Sequence, residues 1–283
     1  GAGAAMAHDA WLTLLQAAQF APRAWLEVLR TCGSAAAVLA EPARALIAHG
    51  LPAEAVAKLS APDETTTARW RSWLEAPGRS LVTFGSPEYP ARLAELADAP
   101  LALWAEGTQP TLLHAPQLAI VGSRSPTADG RDTALQFAKY LSARGLTITS
   151  GLATGIDGAS HSGAVGELGS TVAVLGSGLD IIFPRSNEKL AATIAARGLL
   201  VSEYAPGVEP QKFFFPQRNR IIAGLSLGTL VVEATRRSGS LITARYATEN
   251  GREVFAIPGS IHNPLARGCH WLIRQGAKLV EEV

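Results

Sequence analysis

The chain has 283 residues, 47% of them hydrophobic and 17% charged, with a formal net charge of +1. That composition supports a sizeable core and excludes a largely disordered chain, and at ~150 residues per domain it suggests two domains. The longest apolar runs are strand-sized, short of the ~20 residues of a membrane helix, and no signal peptide is legible, so no membrane role and a cytoplasmic location are expected.

Residues 1–5 precede Met6 and read as an expression remnant. The two cysteines, Cys32 and Cys269, are far apart and form no C-x-x-C, which argues against a disulfide framework or a zinc knuckle. Charge is unevenly spread. Residues 1–110 hold 8 Lys/Arg against 11 Asp/Glu, and residues 111–283 hold 17 against 13. Between Pro210 and Arg245 six cations (Lys212, Arg218, Arg220, Arg236, Arg237, Arg245) face one anion, Glu233. Such a block suits a phosphate-binding surface, although composition alone fits an ordinary solvated basic face equally.

In chain order, apolar residues recur at helical spacing at Trp11, Leu14, Leu15 and Ala18, then at Trp25, Leu26 and Leu29. Gly33, Pro42, Gly50 and Pro52 punctuate them. A small all-helical domain is predicted over about residues 8–66, with 61–67 (APDETTT) as a linker. Next come a helix over 69–74, a strand over 81–84 and an extended Pro-rich stretch to 116. From Gln117 strands alternate with helices, the strands at 118–121, 147–150, 171–175, 199–202, 230–233 and 254–257. These are near-continuous apolar runs, as in a sheet buried on both faces. The helix over 129–144 puts Ala134, Leu135, Ala138 and Leu141 on one face and stops at Gly145. The pattern predicts an α/β fold: a doubly wound, mostly parallel sheet spanning residues 80–283.

Ligands in such sheets sit beyond the carboxyl ends of the strands, where this sequence has its glycines. After the first strand, Gly122-Ser123-Arg124 offers close backbone approach, hydroxyls and a guanidinium, with the next helix pointing its amino end at the same place. After the second, Gly151 and Gly155 open a helix carrying Asp157 and His161 at i, i+4; a loop-holding pair is favoured over acid–base chemistry. The third, Gly176-Ser177-Gly178, lacks the third glycine of a dinucleotide fingerprint, and no P-loop is present. The fourth, Ser238-Gly239-Ser240, opens a helix just after Arg236 and Arg237 and forms an anion nest or a simple cap. Gly224-Leu225-Ser226-Leu227-Gly228 matches a nucleophile elbow but with helix and strand in reversed order, so Ser226 reads as structural.

The segment Lys212-Phe213-Phe214-Phe215-Pro216-Gln217-Arg218-Asn219-Arg220 interleaves cations with aromatics. Single-stranded nucleic acid is bound by that combination, cations following phosphates and rings stacking on bases. One or two of these phenylalanines are expected in the core.

The stretch from Phe215 to Ser226 resembles the FPxRNRIIAGLS signature of the DprA/Smf family. Gly122-Ser123-Arg124, 150–157 (SGLATGID), 231–234 (VVEA), 238–244 (SGSLITA) and 251–259 (GREVFAIPG) are similar to further family blocks in family order. Tyr89-Pro90, Leu93, Pro100 and Gly107 match the entry into the family's Rossmann-like domain, and the helical part more weakly resembles its SAM-like domain. The resemblance implies a non-enzymatic protein without cofactor or metal. It would bind incoming single-stranded DNA during natural transformation, shield it and load the RecA recombinase, as a homodimer. The implied DNA-binding set is Gly122, Ser123, Arg124, Gly151, Lys212, Phe215, Arg218, Asn219, Arg220, Ser238, Gly239 and Ser240. Phe183 stands where the family usually has Tyr. The winged-helix domain that many members carry after the sheet domain is either missing here or cut off, since the chain stops at Val283. Two rivals remain: a nucleotide phosphoribohydrolase or cofactor carrier, loosely echoed by Gly228, Thr229 and Glu233, and a protein-interaction scaffold.

Overall fold

The computed structural model describes the backbone of residues 2–19 and 21–283, and the side chains of residues 8–19 and 21–283. Five helices come first: α1 (Ala2–Ala17), α2 (Pro22–Cys32), α3 (Ala35–Ala40), α4 (Ala43–Ala48) and α5 (Ala53–Ser60). Gly33 at φ 92° ends α2, and Ser34 caps α3 by accepting the Ala37 N–H. Leu12, Leu14, Trp25, Leu26 and Leu29 form the buried side.

Helix α6 (Glu64–Leu74) begins inside the stretch read as a linker. Asp63 accepts the Thr66 N–H (3.3 Å) and hydroxyl (2.6 Å). Gln16 donates to Thr67 Oγ1 at 2.7 Å and accepts the Asp63 N–H at 2.9 Å. Capping and a buried amide therefore turn a polar string into a docked helix start.

Next come β1 (Arg79–Thr83), α7 (Ala91–Ala94) and β2 (Ala102–Gly107). The stretch holding β2 was expected only as extended chain. It pairs antiparallel with β1, and its Trp104 receives the rings of Trp70 and Trp73 edge-on at 5.4 and 5.8 Å. Apolar residues of the helical part and of the sheet thus join one core.

The remaining elements are β3 (Gln117–Val121), α8 (Ala128–Ala143), β4 (Thr147–Ser150), α9 (Ile156–Ala164), β5 (Thr171–Val174), α10 (Glu188–Arg197), β6 (Leu199–Ser202), α11 (Phe214–Leu225), β7 (Gly228–Val231), α12 (Ser240–Glu249), β8 (Glu253–Ala256), α13 (Arg267–Arg274) and β9 (Lys278–Leu279). One sheet runs β1-β2-β6-β5-β4-β3-β7-β8-β9. Its pairings are parallel from β6 through to β9 and antiparallel at the β1-β2-β6 edge. This is the mostly parallel α/β sheet expected. Ala134 and Ala138 of α8 pack with Ile156 and Ala164 of α9 against Ile120, Ile148 and Leu230.

β7 lies two residues earlier than predicted. Its register on β3 pairs Leu118 with Gly228 and Val121 with Val231, and Glu233, at φ 144°, then turns the chain away. The exposed pair β9 carries no apolar run by which sequence periodicity would find it. Among the described residues no helix is long and apolar enough to cross a membrane.

The winding direction reverses between β3 and β7. After β3 the chain adds β4, β5 and β6 on one side, then returns to lay β7 on the other. The carboxyl ends of these two neighbours open a crevice there.

Candidate nucleic-acid interface

A cleft of about 750 Å³ occupies that switch point. Gly122, Ser123 and Arg124 after β3 form one wall. Lys212, Phe215, Arg218 and Asn219, at the start of α11, form the second, and Ser238, Gly239 and Ser240, at the start of α12, the third. Ten of the twelve residues singled out from sequence therefore line one cavity, though they come from segments over a hundred residues apart.

Phe215 is its central feature. The half-buried ring lies so close to Gly176 that a Cβ there would stand 2.9 Å from Phe215 Cδ1. Phe183 tilts against it at 5.5 Å, and the guanidinium carbons of Arg218 and Arg124 lie 5.5 and 5.8 Å from its centre. The other two phenylalanines divide. Phe214 is core, stacked on Tyr204 at 4.1 Å, while Phe213 is exposed.

The cations differ in kind. Arg124 and Lys212 are exposed. Arg218 is buried, with Nη1 donating to the Gly151 and Val174 carbonyls at 2.7 and 2.8 Å and Nε to Asn219 at 3.0 Å. Burial lowers its pKa to about 10, which leaves it charged at neutral pH. It thus ties the ends of β4 and β5 together and places fixed positive charge at the cleft floor.

On the third wall the Ser238 and Ser240 hydroxyls lie 2.7 Å apart. Among the described residues no internal hydrogen bond takes the Gly239 N–H, and a Cβ on Gly239 would meet nothing within 4 Å. An anion can approach this turn freely.

Gly151 and Arg220 stand outside the cleft. Three consecutive N–H groups after β4 turn inward: Gly151 to Asp157 (3.2 Å), Leu152 to His161 (3.2 Å) and Ala153 to Asp157 (3.4 Å). None is left for a phosphate, so Gly151 is not a backbone donor to ligand. Asp157 and His161 accordingly hold this loop. Burial pushes the Asp157 carboxyl up, against the pull of Arg218. It drives His161 down to about 3. Nε2 of that neutral ring accepts from Leu152, so Nδ1 carries the proton toward Thr171 Oγ1 at 2.7 Å. Arg220, 2% exposed, grips Glu203 at 2.6 and 2.7 Å and does not line the cleft.

Two further expectations change. The amino end of α8 is closed: Glu233 accepts the Thr127 N–H at 2.8 Å, and Thr127 itself caps Gly130. Gly122 is required by packing rather than ligand approach, since a Cβ would lie 2.8 Å from both Glu233 O and Ile156 Cγ1. Arg236 and Arg237 face a separate groove beyond α12. Sequence reasoning did not place Gln211, Thr235 and Thr243 in the cleft. Thr243, three residues after Ser240, was accessible from helical spacing.

A family model described as DNA recombination-mediator protein A matches residues 80–283. The chain belongs to this DNA recombination-mediator family. It is 52% identical over 211 residues to Protein Smf of Escherichia coli (strain K12), covering 74% of this chain and 56% of that protein. It is 50% identical over 192 residues to DNA processing protein DprA of Streptococcus pneumoniae, covering 68% and 67% respectively. The chain therefore spans little more than half the length of the Escherichia coli relative. The crystal structure of DNA processing protein A from Streptococcus pneumoniae superposes with a TM-score of 0.83 at 37% identity, over 95% of this chain and 92% of that one. A structure of the Helicobacter pylori protein, concerned with its single-stranded DNA binding mode, gives 0.65 at 30% identity over 72% and 92%.

In this member of the family the cleft combines two exposed cations, one buried cation, the unused Gly239 N–H and an aromatic ring. The His161 ring is buried behind its loop, and the Glu233 carboxylate is engaged by Thr127 and Asn263.

Proposed function

We propose that this chain holds single-stranded DNA in the switch-point cleft. In this reading it acts in the cytoplasm as a homodimer, shielding incoming DNA during natural transformation and loading RecA onto it, with no catalytic step. The observation that carries the reading is Phe215, seated on Gly176 with the Arg124 and Arg218 guanidinium carbons 5.8 and 5.5 Å from its centre and Lys212 on the same wall. An aromatic ring with cations beside it can stack a base while the cations hold phosphates, at ~1–3 kcal/mol per stacked base. The family's description as a recombination mediator and the Helicobacter pylori structure's concern with single-stranded DNA support it. We read residues 80–283 as the DNA-binding unit and residues 8–66 as a helical domain set against it. Contacts fall mainly on the backbone, so binding is sequence-tolerant and salt-sensitive.

The test is fluorescence anisotropy of labelled oligothymidylate and a matching duplex over a salt series, with the wild type, Arg124→Ala and Lys212→Ala. A preference for the single strand is expected, with each substitution weakening binding and reducing the salt slope by about 0.7. No binding of the single strand at low salt overturns the proposal. Release of free base from a nucleoside monophosphate would replace it with the hydrolase reading.

A further inference from the structure

A second groove, about 600 Å³, adjoins the cleft and shares Ser238 and Ile242 with it. Arg236, Arg237, Arg245 and Arg252 line it, with Glu253 as its carboxylate. Glu253 is met by Lys278 at 3.5 Å. Arg252 is committed to the Ala223 and Arg92 carbonyls, and Arg245 pairs loosely with Glu249 at 3.6 Å. Arg236 and Arg237 are exposed, and no carboxylate lies within salt-bridge distance of either among the described residues.

Arg236 is also held in place. Its guanidinium carbon lies 4.6 Å from the centre of the half-buried Trp271 ring. Cation–π contact fixes a long side chain that would otherwise lose rotamer freedom on binding, while its N–H groups stay available. A fixed, unpaired guanidinium next to a second one fits consecutive phosphates of a strand.

We propose that a single strand leaves the switch-point cleft over the Ser238 turn and enters this groove, where Arg236 and Arg237 take two further phosphates. Trp271 is a positioning residue, acting through Arg236. This extension rests on the reading of the first cleft as a single-stranded DNA site. It makes the protein's footprint longer than the Phe215 cleft alone allows and gives the bound strand a direction of exit.

The experiment compares oligothymidylates of about 5 and about 20 nucleotides, bracketing one subsite and an extended track. The doubly substituted Arg236→Ala, Arg237→Ala protein is expected to bind the short strand like the wild type. It should bind the long strand about tenfold more weakly, with a salt slope lower by about 1.4, two phosphates' worth. Trp271→Leu should reproduce the weaker slope, and Trp271→Tyr should restore it. Both exposed arginines can be removed without disturbing the core, so folding does not confound the result. Wild-type affinity of the double variant for the long strand overturns the proposal, as a groove reserved for a protein partner would give. Equal weakening for both lengths also overturns it, since the arginines would then belong to one undivided site. Failure of the wild type to bind the short strand instead overturns the first-cleft reading on which this one stands.

Discussion

The Arg220 guanidinium holds the Glu203 carboxylate by two parallel bonds of 2.6 and 2.7 Å, with its Nε donating to the Asp98 carbonyl at 3.1 Å. A cation expected at a DNA surface is thereby an internal clamp between α11 and the chain beyond β6. Arg220→Ala strands the Glu203 charge and should lower stability by about 3–5 kcal/mol. Urea unfolding measures this. The folded fraction should bind single-stranded DNA like the wild type, and a specific loss of affinity at unchanged stability would return Arg220 to the site.

Phe215→Ala should weaken single-strand binding by ~1–3 kcal/mol, about one stacked base. Phe215→Trp retains a ring and should retain most of the affinity. Gly176→Ala should mimic the loss without touching Phe215, because its Cβ would stand 2.9 Å from Cδ1 and displace the ring. Anisotropy on one oligothymidylate separates the three. Unchanged affinity in Phe215→Ala would assign the ring to packing.

His161 gives the fold an acid sensitivity unrelated to DNA. Unfolded, an imidazole takes up a proton near pH 6.5; buried here, it does so only at about 3. Between those values the unfolded chain binds the extra proton, so this group makes stability fall as pH drops through the window. The slope is about 1.4 kcal/mol per pH unit, or roughly 2 kcal/mol lost by about pH 5. Denaturant midpoints across that range should show the fall in the wild type and a flatter profile in His161→Gln. Parallel profiles would mean that other groups carry the acid sensitivity.

Glu233 accepts from the Thr127 N–H and hydroxyl and from Asn263 Nδ2. Glu233→Gln puts a donor where only acceptors fit, and should lower stability by about 1–3 kcal/mol. Base release from nucleotides should be negligible in both the wild type and the variant. Release that vanished on substitution would make Glu233 catalytic.

Much of the cleft was legible because its parts are local. Gly122 to Arg124, Lys212 to Asn219 and Ser238 to Ser240 each carry, within a few residues, groups suited to phosphates or bases, and alternating apolar runs place each after a strand or at a helix start. The burial of Arg220 on Glu203 was not legible, for a reason that applies to any cation in such a segment. Arg218 and Arg220 lie two apart on α11 and so point to different sides of it, one toward the cleft floor and one toward Glu203. The engagement of Gly151 was not legible because an N–H after a strand looks available until the Asp157 carboxylate, on the helix that follows, is seen to accept it.

By itself the sequence determined the alternation of strand and helix, hence a mostly parallel sheet, and the chemical character of each loop. These follow from side-chain periodicity and residue type, which act over a few residues. Only the tertiary structure decided which loops share a cavity. The order β4-β3-β7 brings the ends of β3 and β7, over a hundred residues apart in sequence, side by side. It likewise decided which cations stay free. A guanidinium is a ligand-binding group or a structural clamp according to whether a carboxylate or carbonyl from a distant strand reaches it first, and that is a property of packing rather than of neighbouring residues.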